Sequence, residues 1–344
     1  MGAARYAYNA TIKAMRGNRR LRGGVNRVRD NIKSELPSWF KTIPCDIYVN
    51  AIREAYQTMK MIFKRYAETK QITHARLKTN RNIKQTITLP KSCMRNGIFY
   101  PTYFTEKKIN YVENLPTINN EFKISYERHI GYFINIPCEM KNKPTQTGIV
   151  AMDPGVRTFQ AIYGHTDDGI QYGEIGKNDR EKIFRLCLSA DKLQSKISKT
   201  KKNRRMKRAL AKIRHKVKNL TNELHWKLAN YLTKNYNTII IPEFESKKMS
   251  QKLHSKTSRQ LLTWSHYTFR QRLIHKAKKH GCSVIVCNES YTSKTCGSCG
   301  KINKRLGSSK VFYCHRCKIT IDRDINGARN ILLRTFAVMR GYIT

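Results

Sequence analysis

The sequence predicts an α+β N-terminal region followed by an α/β domain that carries an inserted four-cysteine ribbon. Three observations predict this. Short runs of apolar and aromatic residues bounded by turn residues fill positions 83–140, the pattern of strands. From position 148 the apolar runs and helical periods come in the order three strands, helix, strand, helix, strand, helix. Two CxxC pairs, separated by fourteen residues, stand between the last strand and the last helix.

Taken in order, residues 1–36 are polar and basic, with GNRRLRGG as a loop. After Pro44, Asp46 is placed to cap a helix, and Tyr48, Ile52, Ala55, Met59, Ile62 and Tyr66 follow at helical spacing. IKQTITL, GIFYPTYF, FKISYE and GYFINIPCEM read as strands, and KNKPTQTG (141–148) reads as a linker. GIVAM is a buried strand ending in Asp153-Pro154-Gly155. RTFQAIYG and GIQYGEIG are two more strands. A long basic helical region is expected over 180–234, a fourth strand at TIIIP (238–242) and a helix over 258–280 that stops at Gly281. A fifth strand, SVIVC (283–287), precedes the cysteine insert, and a helix closes the chain over 325–338. That order of elements is the order of a ribonuclease H-like domain, in which acids lie on strand ends and on the last helix. The expected boundaries are a helical region at 1–82, a β region at 83–145, the first part of the α/β domain at 146–290, the ribbon at 291–320 and the rest of the domain at 321–344.

Composition narrows the function. The 344 residues include 68 Lys and Arg against 23 Asp and Glu, a net charge of +45, and 40% of them are hydrophobic. Such a charge opposes compaction unless a polyanion neutralises it, and nucleic acid is the partner it fits best. There is no run of 18 apolar residues, so no membrane span is expected. The first ten residues lack the apolar core of a signal peptide, and Tyr6 stands where a myristoylation signal needs Ser or Thr. A reducing compartment is therefore expected, with Cys45, Cys93, Cys138, Cys187, Cys282 and Cys287 as buried thiols.

Cys296, Cys299, Cys314 and Cys317 have the spacing of a structural Zn²⁺ site, in which each pair supplies two thiolates from a tight turn. Redox dithiols are the alternative, and His315 inside the second pair is a competing ligand. Asp153 and Asp324, at the end of the first strand and the start of the last helix, are candidate carboxylates for Mg²⁺. Asp322 competes with Asp324 for the roles of helix cap and functional acid. Glu243 and Glu289, after the fourth and fifth strands, compete to be the third acid. Asn326 is placed to support Asp324, and Arg323 and Arg329 face phosphate or solvent. Thirteen Lys or Arg crowd residues 192–218 with almost no acids beside them, so ion-pair lacing cannot offset their repulsion. Lys199, Lys201, Lys202, Arg204, Arg205, Lys207, Arg208 and Arg214 are the expected nucleic-acid contacts. The run from 199 to 208 also suits a nuclear localisation signal in a eukaryotic host; otherwise cytoplasm or nucleoid is expected.

DPGVRTFQAIY, YTSKTCGSCG and DRDINGARNI resemble motifs of the TnpB family of transposon-encoded RNA-guided nucleases and their Fanzor relatives, and the first is most similar to the Fanzor branch. The resemblance extends to GAARYAYNATIKA and to PSWFKTIPCDIYVNAIREAYQTMKMIF, which look like the family's helical recognition segments. The strands at 83–140 look like its wedge region, and the C-terminal half looks like its RuvC-like domain. It implies an RNA-guided DNA endonuclease that takes a guide RNA from its own flank, acts as a monomer with that RNA, and uses Mg²⁺. It also implies Asp153 as the first acid and Asp324, two residues before an Asn, as the last. Pro242 stands where TnpB proteins carry their middle glutamate, and the Fanzor-like pattern points to Glu289 instead, with Glu243 second. On that resemblance, the family's first wedge strand is expected to be missing ahead of GAARYAYN. A non-cleaving RNA- and DNA-binding regulator with the same fold, and an unguided nuclease, are the competing expectations.

Overall fold

The computed structural model describes residues 1–18, 21, 23–95, 97–103, 109–138, 147–200, 203–251, 253–288, 292–304, 306–307 and 309–341. The chain forms two compact units, residues 1–139 and 140–344.

The first unit opens with α1 (Gly2–Gly17), α2 (Val25–Ser34) and α3 (Cys45–Thr69). Their apolar positions recur every three or four residues and form one core: Ala7, Ile12 and Met15 from α1, Val28 and Ile32 from α2, Ile52, Ala55 and Met59 from α3. Asp46 is not the cap expected from the sequence. Pro44 holds the cap position with no side-chain bond, and Asp46 lies inside the first turn. There its charge still suits the helix dipole.

The strands β1 (Lys84–Leu89), β4 (Phe122–Glu127) and β5 (Gly131–Asn135) form an antiparallel sheet in the order β1-β4-β5. Between β1 and β4, β2 (Met94–Arg95) and β3 (Ile98–Phe99) make a two-residue ladder. GIFYPTYF is thus a strand only at its start. Tyr100 adopts φ +43°, outside the extended region, and Pro101 has no N–H to offer a ladder.

The second unit is built on a five-stranded sheet of β6 (Ile149–Pro154), β7 (Gln160–Thr166), β8 (Gly169–Ile175), β9 (Thr238–Pro242) and β10 (Ser283–Cys287). The strand order is β10-β9-β6-β7-β8. The first three strands are sequential antiparallel neighbours joined by short connections. β9 and β10 lie parallel to β6 and are reached through helices, as parallel pairing requires. These are the strands, in the order along the chain, that the sequence predicts.

The expected helical region at 180–234 is instead two helices, α4 (Lys177–Lys199) and α5 (Arg204–Asn235). Asn203, 8% exposed, explains the break: its amide donates to the carbonyls of Ile197 and Thr200, both at 2.8 Å, and takes up the free end of α4. After the short α6 (Ser246–Ser250), the expected helix at 258–280 is likewise two, α7 (Ser255–Trp264) and α8 (His266–His280). Ser265 stands between them in the left-handed region at φ +51°, which no continuous helix tolerates. Gly281 ends α8 at φ +70°, the glycine stop that the sequence indicates.

β11 (Val311–Tyr313) and β12 (Thr320–Asp322) pair beside the cysteine turns, and α9 (Arg323–Met339) follows directly. The large sheet is covered on both faces. Val150, Met152, Ile239 and Ile241 pack with Leu228 and Leu232 of α5 and with Phe269 and Leu273 of α8. Ala151 and Ile240 point the other way, against Ile331 and Leu332 of α9. Strand alternation therefore puts Asp153, two residues after Ala151, on the face that α9 covers.

Candidate functional site

Sheet register places the acids. Asp153 pairs with Ala161, and Ala161 pairs with Glu174, so the three residues form one row on one face. On the other side, the β6/β9 pairing reaches Ala151 with Ile240, which brings Pro242 level with Asp153, and Pro242 pairs with Cys287. The strand next to Asp153 thus offers a proline where a carboxylate would be nearest. The acid on this row is Glu174, beyond a small and fully buried Ala161.

The last helix brings the other acids. Asp322 caps α9: its Oδ1 accepts from the N–H groups of Asp324 at 2.9 Å and Ile325 at 3.2 Å. That settles the competition posed by the sequence for the cap, and it leaves the side chain of Asp324 unspent at the cap. Carboxylate oxygens of Glu174, Asp322 and Asp324 all lie within 4.8 Å of one another. Asp153 reaches the same helix one turn further on, at Gly327. A Cβ added there would collide with Asp153 Oδ2, so the missing side chain is what lets the carboxylate approach the helix.

The acids differ in how far their charges are met. Partial burial, reinforced by the neighbouring Asp322, holds the Asp324 carboxyl above its ordinary value. Glu174 is held below its ordinary value, chiefly by Lys310, whose ammonium lies 2.8 Å from Oε1, with Lys177 at 3.3 Å from Oε2. Lys310 also stands 3.6 Å from Asp322 Oδ2.

The other expected residues separate. Glu243 is exposed, and its N–H continues the ladder to the Cys287 carbonyl at 2.9 Å. Alternation after Ile239 and Ile241 aims it at the opposite face from Asp153. Glu289, Lys201 and Lys202 lie outside the described residues. Asn326 does not support Asp324. It is 1% exposed, its amide donates to the Thr295 carbonyl at 2.8 Å, and its oxygen accepts from the Gly297 N–H at 3.3 Å. Asn330, one turn on, donates to the carbonyls of Thr292 and Thr295. Together they tie the first cysteine turn to α9. Arg323 binds the carbonyls of Gly307 and Ser309, and Arg329 binds the Ser298 hydroxyl, so both pack on the ribbon. Glu174 is the acid that the sequence reading missed. GIQYGEIG reads as a strand, and counting back through the two-residue Asp167-Asp168 turn pairs Glu174 with Ala161.

The sulfur atoms of Cys296, Cys299, Cys314 and Cys317 lie within 4.8 Å of one another, with Cys299 and Cys314 3.7 Å apart. N–H groups of Cys317 and Arg316 hold the Cys314 thiol down to about 6, while Cys317, sharing protons with Cys299 and Cys314, is held up. Of the basic residues, Lys199 ends α4, and Arg204, Arg205, Lys207, Arg208 and Arg214 are exposed on α5. No acid stands in the first turn of α5, so Arg204 and Arg205 add to the positive end of the helix dipole.

Among known proteins, the family described as "Probable transposase" matches residues 124–253, and "Cas12f1-like, TNB domain" matches residues 266–331. A putative transposase of Paramecium bursaria Chlorella virus 1 is 29% identical over 98% of this chain and 83% of its own length. A TnpB-like protein of Acanthamoeba polyphaga mimivirus is 30% identical over 91% of this chain and 61% of its own length. A putative RNA-guided DNA endonuclease of Escherichia coli, InsQ, is 26% identical over 56% of this chain and 50% of its own length. The chain thus spans about half to three-fifths of the latter two relatives.

Proposed function

Because the chain belongs to the TnpB-like transposase family, we propose that it is an RNA-guided DNA endonuclease of the Fanzor-like branch. The observation that carries this reading is the cluster of Glu174, Asp322 and Asp324 carboxylates at the start of α9, with Asp153 lying against Gly327 of the same helix. In a chain of net charge +45, several carboxylates facing one point serve a cation better than they serve stability.

The donor set fits Mg²⁺. It is all oxygen, the donor type a hard cation takes, and Glu174, Asp322 and Asp324 bring carboxylate oxygens within 4.8 Å of one another. When bound, the metal supplies an activated water and charge stabilisation at the phosphoryl group. The protein's part is to aim the acids. The β6 register sets Asp153, the Asp322 cap sets the start of α9 and so Asp324, and Gly327 leaves room for the Asp153 carboxylate against the helix. Lys310 and Lys177 keep Glu174 ionised. Glu289 remains the third acid of this proposal, and Glu174 is a further one.

The four thiolates fit Zn²⁺. A tetrahedral site with bonds of about 2.3 Å needs sulfurs roughly 3.8 Å apart, close to the 3.7 Å between Cys299 and Cys314. All four positions are protein ligands, so the site is structural. Its role is to hold the turn that Asn326 and Asn330 tie to α9. The exposed cations of the α4–α5 hairpin are the surface for RNA and DNA backbones, because phosphate relieves the charge stacked on the N-terminus of α5.

One observation favours a second reading. Pro242 beside Asp153 removes the carboxylate nearest to it, as a binding protein that has lost cleavage would. Substituting Glu174, Glu243 and Glu289 singly with Gln separates the readings. With a matched guide and Mg²⁺, the expected result is loss of cleavage for Glu289→Gln, a drop of about tenfold or more for Glu174→Gln, and normal cutting for Glu243→Gln. Absence of cleavage by the unsubstituted protein with its RNA bound would favour the second reading.

A further inference from the structure

Away from the acids, a cavity of about 400 Å³ opens between α4, α5, α7 and α8. Four cationic side chains line it, Arg214, Lys218, Arg259 and Arg272, and none of the lining residues is acidic. Arg259 is partnered by Asp191 at 2.8 Å.

Arg272 is held in another way. Its Nη1 donates to Nδ1 of His225 at 3.0 Å, and Nε2 of His225 lies 2.8 Å from the Trp264 carbonyl oxygen. A guanidinium only donates, so Nδ1 accepts and Nε2 carries the proton that goes to the carbonyl. His225 is 1% exposed and stacks on Phe159 at 5.0 Å, and burial lowers its pKa to about 4. The guanidinium also lies over the Trp226 ring at 5.4 Å. The arginine is thus oriented by a neutral acceptor and a ring, and its positive charge stays available for an anion. Thr221 in the same wall is 5% exposed, and its hydroxyl has no hydrogen-bond partner.

We propose that this cavity binds the phosphate monoester at the end of a nucleic acid strand. The proposal rests on the reading that the protein handles nucleic acid, and it assigns part of that work to a place outside the acid cluster. A wall of cations, of which Asp191 meets Arg259, suits a terminal phosphate, which carries about −1.5 to −2, better than a chain phosphate with a single charge. Arginine forks match phosphate oxygens in pairs. The volume is at the lower end of small-molecule pockets, room for about one nucleotide and not for a duplex.

The test uses the full chain and a labelled five-nucleotide RNA with a 5′-phosphate, a 3′-phosphate or hydroxyl ends, read by fluorescence anisotropy. The unsubstituted protein is expected to prefer one phosphorylated end by about tenfold or more. Arg214→Gln with Lys218→Gln is expected to abolish the preference. Lys212→Gln with Lys216→Gln removes equal charge from the same helix outside the cavity. It is expected to weaken all three RNAs alike and to keep the preference. Thermal melts of both double variants check that they fold. Adenosine monophosphate and inorganic phosphate are added as competitors. Displacement only by phosphorylated RNA supports a strand end, and equal displacement by the mononucleotide overturns the strand in favour of a free nucleotide. Equal binding of all three RNAs, or equal effects of the two double variants, would overturn the site. Cleavage is measured apart from this, so loss of the nuclease reading leaves the binding result standing.

Discussion

Asp324 is a carboxyl whose surroundings disfavour its charge. Burial and Asp322 raise its pKa, so in the fold it keeps its proton at pH values where an unfolded chain has released it. In the metal-free protein its contribution is therefore fully present below the unfolded pKa and is lost as pH rises through the folded one. Asp324→Asn is expected to raise the metal-free Tm at pH 7.5, to give no gain in mild acid, and to lower cleavage by at least about a hundredfold, or 2.7 kcal/mol. Calorimetry and a cleavage assay check both parts, and a lower Tm at pH 7.5 would contradict the assignment. Gly327→Val is expected to push Asp153 off α9 and cost about tenfold or more in cleavage, with little change in bound zinc. At this scale the placement of Asp153 and Asp324 was legible because each ends or opens an element marked by its own apolar pattern. Asn326 was misread because its partners, Thr295 and Gly297, are close only after the ribbon folds back on α9. Glu174 was missed because an acid within a strand looks like a solvent-facing residue until the register is counted.

The elements show why some boundaries were legible and others were not. Strands β6, β9 and β10 of the large sheet are apolar runs, and Gly281 ends α8 in the left-handed conformation that glycine permits. The breaks at Asn203 and Ser265 were missed because helical spacing recurs on both sides, although its phase does not carry across, as from Ile197 to Leu210 and from Trp264 to Phe269. One break depends on a side chain capping the preceding helix and the other on a left-handed serine. Pro242 reverses the usual logic. It ends β9 cleanly, and in doing so it takes the row position next to Asp153. The ribbon is an element held by four sulfurs and tied to α9 by two asparagines. Removing zinc with a chelator, or Cys314→Ser, is expected to lower Tm and to reduce cleavage although none of the four ribbon cysteines belongs to the acid cluster. Elemental analysis is expected to find one zinc per intact chain. Full cleavage by zinc-free protein would separate the ribbon from the site.

For the whole molecule, a net charge of +45 sets the behaviour toward polyanions. If the α4–α5 hairpin and its neighbours meet six or more phosphates, affinity for nucleic acid is expected to fall about a thousandfold between 50 and 200 mM salt. A flat response would remove the hairpin from the binding surface. Fold class was legible at this scale because the order of elements alone restricts the sheet, whereas partners were legible only as polyanions. The measurement that tests the central claim most directly is plasmid cleavage by protein co-expressed with its native downstream flank. It compares the unsubstituted chain with Asp153→Asn, in Mg²⁺ and in chelator. The account expects cutting only with Mg²⁺, only where the plasmid matches the co-purified RNA, and not by the variant. Matched cutting that survives Asp153→Asn would contradict it.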